Sequence, residues 1–294
     1  MALDGPIPGP TLPEDLEQEI FGIAAHLRPG SIPTLILVAW RVKIWVEPLL
    51  YRTIVLSPPT HPPIDRHPVF HRDLLMNLIN SKPASFLRGA VRHLLLYRVH
   101  TDDVEAIVSA CPAVENLWVL VNGIHNLLPL IQNLPLKRLH VHSTQLFASL
   151  SKNDFTHRVF AHITHLEIFD SYIITGIDLE VWSGISLIPN LSHLSFNDEE
   201  FLTLCTMLLR TCNSLRVLVL LDVDPPDVLE QPELVKDHRF VCMGCSQHVK
   251  DWQMGAHMGV DYWSRAEEFV AKRRSGEIDL LRYMISEDES FNIP

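Results

Sequence analysis

Glycine is scarce in this chain, with 12 in 294 residues. No glycine-rich loop of the phosphate-cradling kind is present, neither G-x-x-x-x-G-K-[ST] nor G-x-G-x-x-G. G-x-S-x-G and H-E-x-x-H are missing as well. No catalytic residue is therefore assigned, no cofactor is expected, and the chain is not expected to be an enzyme. Positive charge is also in deficit: 24 Lys plus Arg stand against 35 Asp plus Glu, a net charge of −11. Nucleic acids and anionic membranes are held through cationic patches, so neither is an expected partner. Long apolar runs are lacking; the best, LILVAWRVKIWV at 35–46, is interrupted by Arg41 and Lys43 and falls short of a membrane span. The start, MALDGPIPGP, has neither the basic region nor the apolar core of a secretory signal. Cysteines are few, odd in number and irregularly spaced: Cys111, Cys205, Cys212, Cys242 and Cys245. They read as thiols in a reducing compartment, not as a disulfide framework, which points to cytoplasm or nucleus.

What the chain does have is apolar patterning. Thr11-Leu12-Pro13-Glu14 has the spacing of a capping box, with Thr11 as N-cap. Leu12, Leu16, Ile20, Ile23, Ala24 and Leu27 then recur at helical intervals, and Phe21 lies off that stripe. Pro29-Gly30 ends this helix. A second is expected from Pro33, apolar almost all round, until Glu47-Pro48 closes it. About forty residues do not normally fold alone, and so much apolar surface on two short helices implies a partner. A proline-rich turn region, Ser57 to Pro68, leads to a helix expected over about 69–80.

From there an apolar-x-x-Leu-x-apolar pattern repeats: Val91/Leu94/Leu96, Val114/Leu117/Val119, Leu136/Leu139/Val141, Ile163/Leu166/Ile168, Leu191/Leu194/Phe196 and Leu215/Leu218/Leu220. The central leucines are 23, 22, 27, 28 and 24 residues apart, and His238/Val241/Met243 reads as a weaker seventh copy. One short strand per 20 to 29 residues is the leucine-rich-repeat signal. Between the strands, 102–110, 126–132 and 199–210 carry helical spacing. The fold class expected is α/β: an N-terminal helical unit, then an irregular solenoid whose parallel strands line a curved sheet with helices on the convex side. The divisions are a disordered tail at 1–11, the helical unit at 12–56, a linker with one helix at 57–85, repeats at 86–249, and a capping helix with a tail at 250–294. In the last, Trp263, Ala266, Phe269 and Val270 share one face, and Lys272-Arg273-Arg274 suits a helix C-terminus.

Side chains flanking each buried leucine face the other side of the sheet. That row is rich in aromatics and histidine. Aromatics and arginine anchor protein interfaces, so Tyr97, Trp118, Arg138, His140 and Phe169 are the candidate contacts for a protein substrate; the alternative is that other parts of the chain cover some of them. His140, His142 and His165 share this face, and Cys242-x-x-Cys245-x-x-His248 has half the spacing of a zinc site. Neither set has a full complement of ligands, and no metal is assigned.

The order Leu12-Pro13, Glu19-Ile20-Phe21, Leu37-Val38 and Glu47-Pro48-Leu49-Leu50-Tyr51-Arg52 resembles an F-box, closest to the degenerate F-boxes of mushroom-forming fungi. Those are followed by a strand such as Thr53-Ile54-Val55-Leu56. The turns Cys111-Pro112 and Cys212-Asn213, and the segment around Asp251-Trp252 and Asp261-Tyr262-Trp263, are similar to the repeats and closing segment of the same proteins. The resemblance implies the substrate-recognition subunit of an SCF-type cullin–RING ubiquitin ligase, docking on its Skp-type adaptor through Leu12, Pro13, Leu16, Ile20, Phe21, Leu37, Val38 and Trp45. One departure is Val42, where a typical F-box has tryptophan; Trp45 lies one turn on. The other reading is a leucine-rich-repeat interaction scaffold, with the N-terminal helices serving as its cap.

Overall fold

The computed structural model describes residues 12–57, 70–121, 126–147, 154–169, 178–223 and 228–286. It is an α/β protein built on one nine-stranded parallel sheet whose strand order follows the sequence. The tail at 1–11, Thr11 with the capping box it would make, and the end at 287–294 lie outside the described residues.

The chain opens with α1 (Glu14–Leu27), which starts after Pro13 without a side-chain cap. The second helix expected from Pro33 is two helices instead, α2 (Ile32–Leu35) and α3 (Trp40–Val46). The break is at Ala39, whose extended backbone (φ −159°, ψ 156°) re-aims the chain so that Ile32, Val42 and Val46 meet Ala25 in one small core. An unbroken helix would have carried these positions along a line. The apolar stripe of α1 is left outside that core. Ala25 is buried and Phe21 packs beside it, while Leu16, Ile20, Ile23 and Leu27 stand in solvent. Arg41 clamps α3 to α1 by a bidentate pair with Glu17 at 2.7 and 2.9 Å. After α3, a 3-10 turn (Glu47–Tyr51) delivers Tyr51 against Phe86 (ring centres 5.2 Å apart) and Phe70 (6.1 Å), which seats the helical unit on the rest of the chain.

The sheet begins inside the span assigned to that unit. Strand β1 (Thr53–Leu56) is its edge and pairs with β2 (His93–Val99). Helices α4 (Arg72–Ser81) and α5 (Ala84–Ala90) lie between them; α4 matches the helix expected near 69–80, and α5 was not foreseen. The sheet continues through β3 (Asn116–Val121), β4 (Arg138–Val141), β5 (His165–Ile168), β6 (His193–Phe196), β7 (Val217–Leu221), β8 (Phe240–Met243) and β9 (Met284–Ile285). Each of the strands β2 to β7 starts alike. The N–H groups of its first residue and the one before both donate to one carbonyl ahead of the neighbouring strand, as Glu115 and Asn116 do to Arg92 and as Arg216 and Val217 do to Ser192. A fixed start fixes the register, so Leu94, Leu117, Leu139, Leu166, Leu194 and Leu218 fall in one fully buried row.

The returning segments hold α6 (Thr101–Ala110), α7 (Leu128–Ile131), α8 (Ser143–Leu146), α9 (Leu179–Trp182), α10 (Leu202–Thr211) and α11 (Pro232–Lys236). Helices α6 and α10 end on matching cysteines. Cys111 and Cys212 are buried and donate backward to Ile107 and Leu208, and their carbonyls receive Val114 and Leu215, the first apolar residues of the following repeats. Burial raises the Cys111 thiol to about 12, so it packs as a small apolar group.

Two expectations fail at the C-terminal end. In β8 the core-facing residues are Phe240 and Cys242, paired with Leu218 and Leu220, whereas Val241 and Met243 face the opposite side. The seventh copy is thus one residue out of frame, which exchanges the two faces. The helix expected to cap the end of the sheet lies across its open face instead, and β9 covers the end. Helices α12 (His248–Met258) and α13 (Tyr262–Ser275) lie across its open face, α12 packing Val249 and Trp252 on Leu95 and Trp118, and α13 packing Trp263, Ala266, Phe269 and Val270 over β7 and β8. Between them the chain turns through Gly259, whose φ of +72° favours glycine. Asp261 caps α13 so close to Gly255 that a Cβ there would sit 2.5 to 2.9 Å from its side chain. Arg273, read as part of a cationic helix end, is buried and donates to the carbonyls of Phe240 (2.5 Å), Val235 (2.8 Å) and Leu280 (3.1 Å).

Candidate functional site

Two surfaces hold the residues singled out from the sequence. The first is the helical unit. Leu12 (56% exposed), Leu16, Ile20 (51%), Leu37 (81%) and Val38 (60%) are all open to solvent, as is Pro13. Phe21 and Trp45 are half-buried in the unit's own core and contribute shape more than surface. Val42 is fully inside that core, so the position where tryptophan was looked for is filled from within. Sequence reasoning missed Trp40 and Ile44, which are also exposed, 73% and 56%; both belong to the apolar run that was read as one helix. Single exposed apolar residues are ordinary, but nine of them stand exposed on this short unit, Ile23 and Leu27 included. Electrostatics tie this face down: the hydrogen bond from Arg41 holds the Glu17 carboxyl below its usual range.

The second surface is the open side of the sheet. One cross-sheet row runs Val55, Leu95, Trp118, His140, Glu167, Ser195, Val219 and Val241. Helices α12 and α13 cover it, and the candidate contacts separate accordingly. His140 is 3% exposed and bonded to Glu167, its neighbour in register. Burial works against the Glu167 charge, but the His140 hydrogen bond and charge outweigh it and keep that carboxyl low. Arg138 is engaged by the Asp261 cap at 2.6 Å. These two serve the fold and are not free for a substrate. Tyr97, Trp118 and Phe169 stay together: Trp118 stacks on Phe169 (4.9 Å, 12°) and takes Tyr97 edge-on at 5.5 Å. They form one wall of a cleft of about 510 Å³, with the first turn of α12 opposite. That turn, 247–250, was missed, because nothing in its sequence hints at which strands it reaches.

The metal candidates are dispersed. His142 bonds Thr144 at 2.7 Å, and His165 bonds Thr164 at 2.8 Å while stacking on His193. Cys242 and Cys245 lie in separate apolar clusters on opposite sides of the sheet, and His248 pairs with Asp222 at 3.1 Å. Burial raises the Cys242 thiol to about 12 and also raises Cys245. Asp222 has a left-handed backbone (φ +55°) that lets it receive the Cys245 N–H at 2.8 Å as well. Among the described residues no group of three or more His, Cys, Asp or Glu is arranged to hold a metal ion, and no helix is long and apolar enough to cross a membrane.

No protein-family model matches the chain, and no curated protein matches it. The functional reading therefore rests on these two surfaces.

Proposed function

We propose that this chain is a non-catalytic substrate receptor of an SCF-type cullin–RING ubiquitin ligase. Residues 12–52 act as its F-box, and the sheet with its returning helices forms a leucine-rich-repeat solenoid. The observation that carries the reading is the exposed apolar face of Leu12, Leu16, Ile20, Leu37, Val38, Trp40 and Ile44. Five of these, Leu12, Leu16, Ile20, Leu37 and Val38, are positions that the F-box resemblance assigns to docking on a Skp-type adaptor, and all seven are left exposed. A helix face of this kind docks in a groove of the partner. The bond-making belongs to other subunits; this chain's contribution is to hold a substrate at a fixed place, which raises its effective concentration at the ubiquitin donor.

A scaffold without ligase association is the second reading. The seating of Tyr51 on Phe70 and Phe86, and the pairing of β1 with β2, favour the helical unit as a cap for the repeats.

The deciding experiment is co-purification of the full chain with its host's Skp-type adaptor, beside an Ile20→Asp/Val38→Asp variant. Both positions are exposed, so the variant should keep the parent's thermal midpoint within ~2 °C, as surface changes do. Stable binding by the parent, lost in the variant, supports the receptor. No binding by a folded parent hands the chain to the scaffold reading.

A further inference from the structure

The helical unit meets the sheet at a short seam, and one turn of chain serves both sides of it. The 3-10 turn Glu47–Tyr51 follows α3 without a break. Leu49 and Leu50 pack back on the unit's own core around Val42 and Val46, while Tyr51 packs on the core beneath the sheet's leucine row. A single residue, Arg52, then separates the turn from β1. Its carbonyl takes the N–H groups of Arg92 and His93, both at 3.0 Å.

Units joined by so small a contact move against each other unless they are tied. Two ties are present among the described residues. The Tyr51 ring meets Phe86 edge-on at 5.2 Å and leans on Phe70 at 6.1 Å. Lys82 supplies the second. It stands between α4 and α5, its backbone extended (φ −88°, ψ 150°) as a residue before proline prefers. Its Nζ donates to Glu47 Oε1 at 2.9 Å and lies 4.7 Å from the centre of the same Phe86 ring. The Lys82 and Glu47 side chains are only 30% and 18% exposed, so solvent screens their pair less than one at the open surface. Tyr51 thus holds one end of the turn and Glu47 the other. Two fixed points, with the backbone running on into β1, define the orientation of the unit.

We infer that Tyr51 and Lys82 are positioning residues, which fix the angle at which the helical unit stands on the sheet. The fixed angle holds under either reading of the unit. Its use, to set where a bound substrate meets the ubiquitin donor, rests on the receptor reading.

Pulsed-dipolar distance measurement on the full-length chain tests it, with spin labels at Gln18→Cys and Asn133→Cys, exposed positions on either side of the seam. The native thiols are all buried and stay unlabelled. The parent should give one narrow distance peak. Lys82→Glu sets two carboxylates face to face and should widen the peak by about half or more. Adding Glu47→Lys should restore the parent width, and Lys82→Arg should keep it. Tyr51→Ala with Lys82→Glu should roughly double the width, while adaptor affinity stays within about twofold of the parent, because neither residue lies on the exposed apolar face. A broad parent distribution overturns the inference. So does a double variant as narrow as the parent, or a charge exchange that restores nothing. Where Tyr51→Ala costs the fold, Lys82→Glu and its rescue still decide. Failure of the parent to bind the adaptor sinks the receptor reading alone, since the distances are measured without it.

Discussion

Acid should loosen this fold well before its carboxylates protonate, because three imidazoles sit under α12 and α13 or at the strand starts where protonation is penalised. His93 is pushed down to about 4, by burial first and then by the Arg52 charge. His165 is pushed down to about 2, by burial and then by the neighbouring His193, which is itself lowered by burial against the opposing pull of Glu267. An unfolded imidazole titrates near 6.5. The folded values lie below it, so the unfolded chain takes up protons first. The stabilisation is complete above pH 6.5 and is lost as pH falls toward the folded values. Between pH 7 and pH 5, His93 and His165 should each remove about 1.8 kcal/mol, close to 3.6 kcal/mol together. His248 acts in reverse. Burial disfavours its charge, but hydrogen bonds to Asp222 and Cys245 raise it to about 11. Its contribution is therefore full below 6.5 and declines as pH rises, but with about a third of the imidazole exposed, solvent screening leaves it only a small offset over the same window. The net expectation is a loss of about 3 kcal/mol, large against a typical total of 5 to 15 kcal/mol. Urea titrations at pH 7, 6 and 5 give the loss directly, and ring-nitrogen NMR shows whether His93 and His165 are still neutral at pH 5. A stability flat to within 1 kcal/mol over that window, or ring midpoints near 6.5, would refute the reasoning.

Two packing predictions are independent of pH. Replacing Arg273 by methionine keeps its bulk but leaves the carbonyls of Val235, Phe240 and Leu280 without donors, and should cost about 3 kcal/mol; a change under 1 kcal/mol in urea titration would mean water replaces the guanidinium there. Gly255→Ala inverts the usual sign. Alanine inside a helix normally gains up to ~1 kcal/mol over glycine, but here its Cβ meets the Asp261 side chain at 2.5 to 2.9 Å, so a loss of about 1 to 3 kcal/mol is expected, and a rise in thermal midpoint would count against the close approach.

How much of this was legible depended on how local each signal is. The buried leucines could be read because each strand presents the same two inward residues at a near-constant interval, and the shared carbonyl at each strand start makes that interval structural. Alternation carries less in β8, which is covered on both sides; Phe240, Val241, Cys242 and Met243 are all apolar and all buried, so nothing in the sequence distinguishes one frame from the next. Helix α12 escaped notice for a related reason: two of its five buried side chains are polar, Gln253 and Asp251, the latter answering Arg265 and the Tyr262 N–H. Polar burial is satisfied by partners distant in sequence, and hydropathy patterning does not register it. The aromatic cleft is harder still, since Tyr97, Trp118 and Phe169 were chosen from the strands alone, while the α12 turn that makes a pocket of them arrives some 80 residues after Phe169. The helical unit teaches the converse. Its apolar stripe on α1 and the surplus it leaves were legible, but the break at Ala39, after which Phe21 and Ala25 suffice for a small core, was not. The larger stripe, Leu16, Ile20, Ile23 and Leu27, is then left exposed.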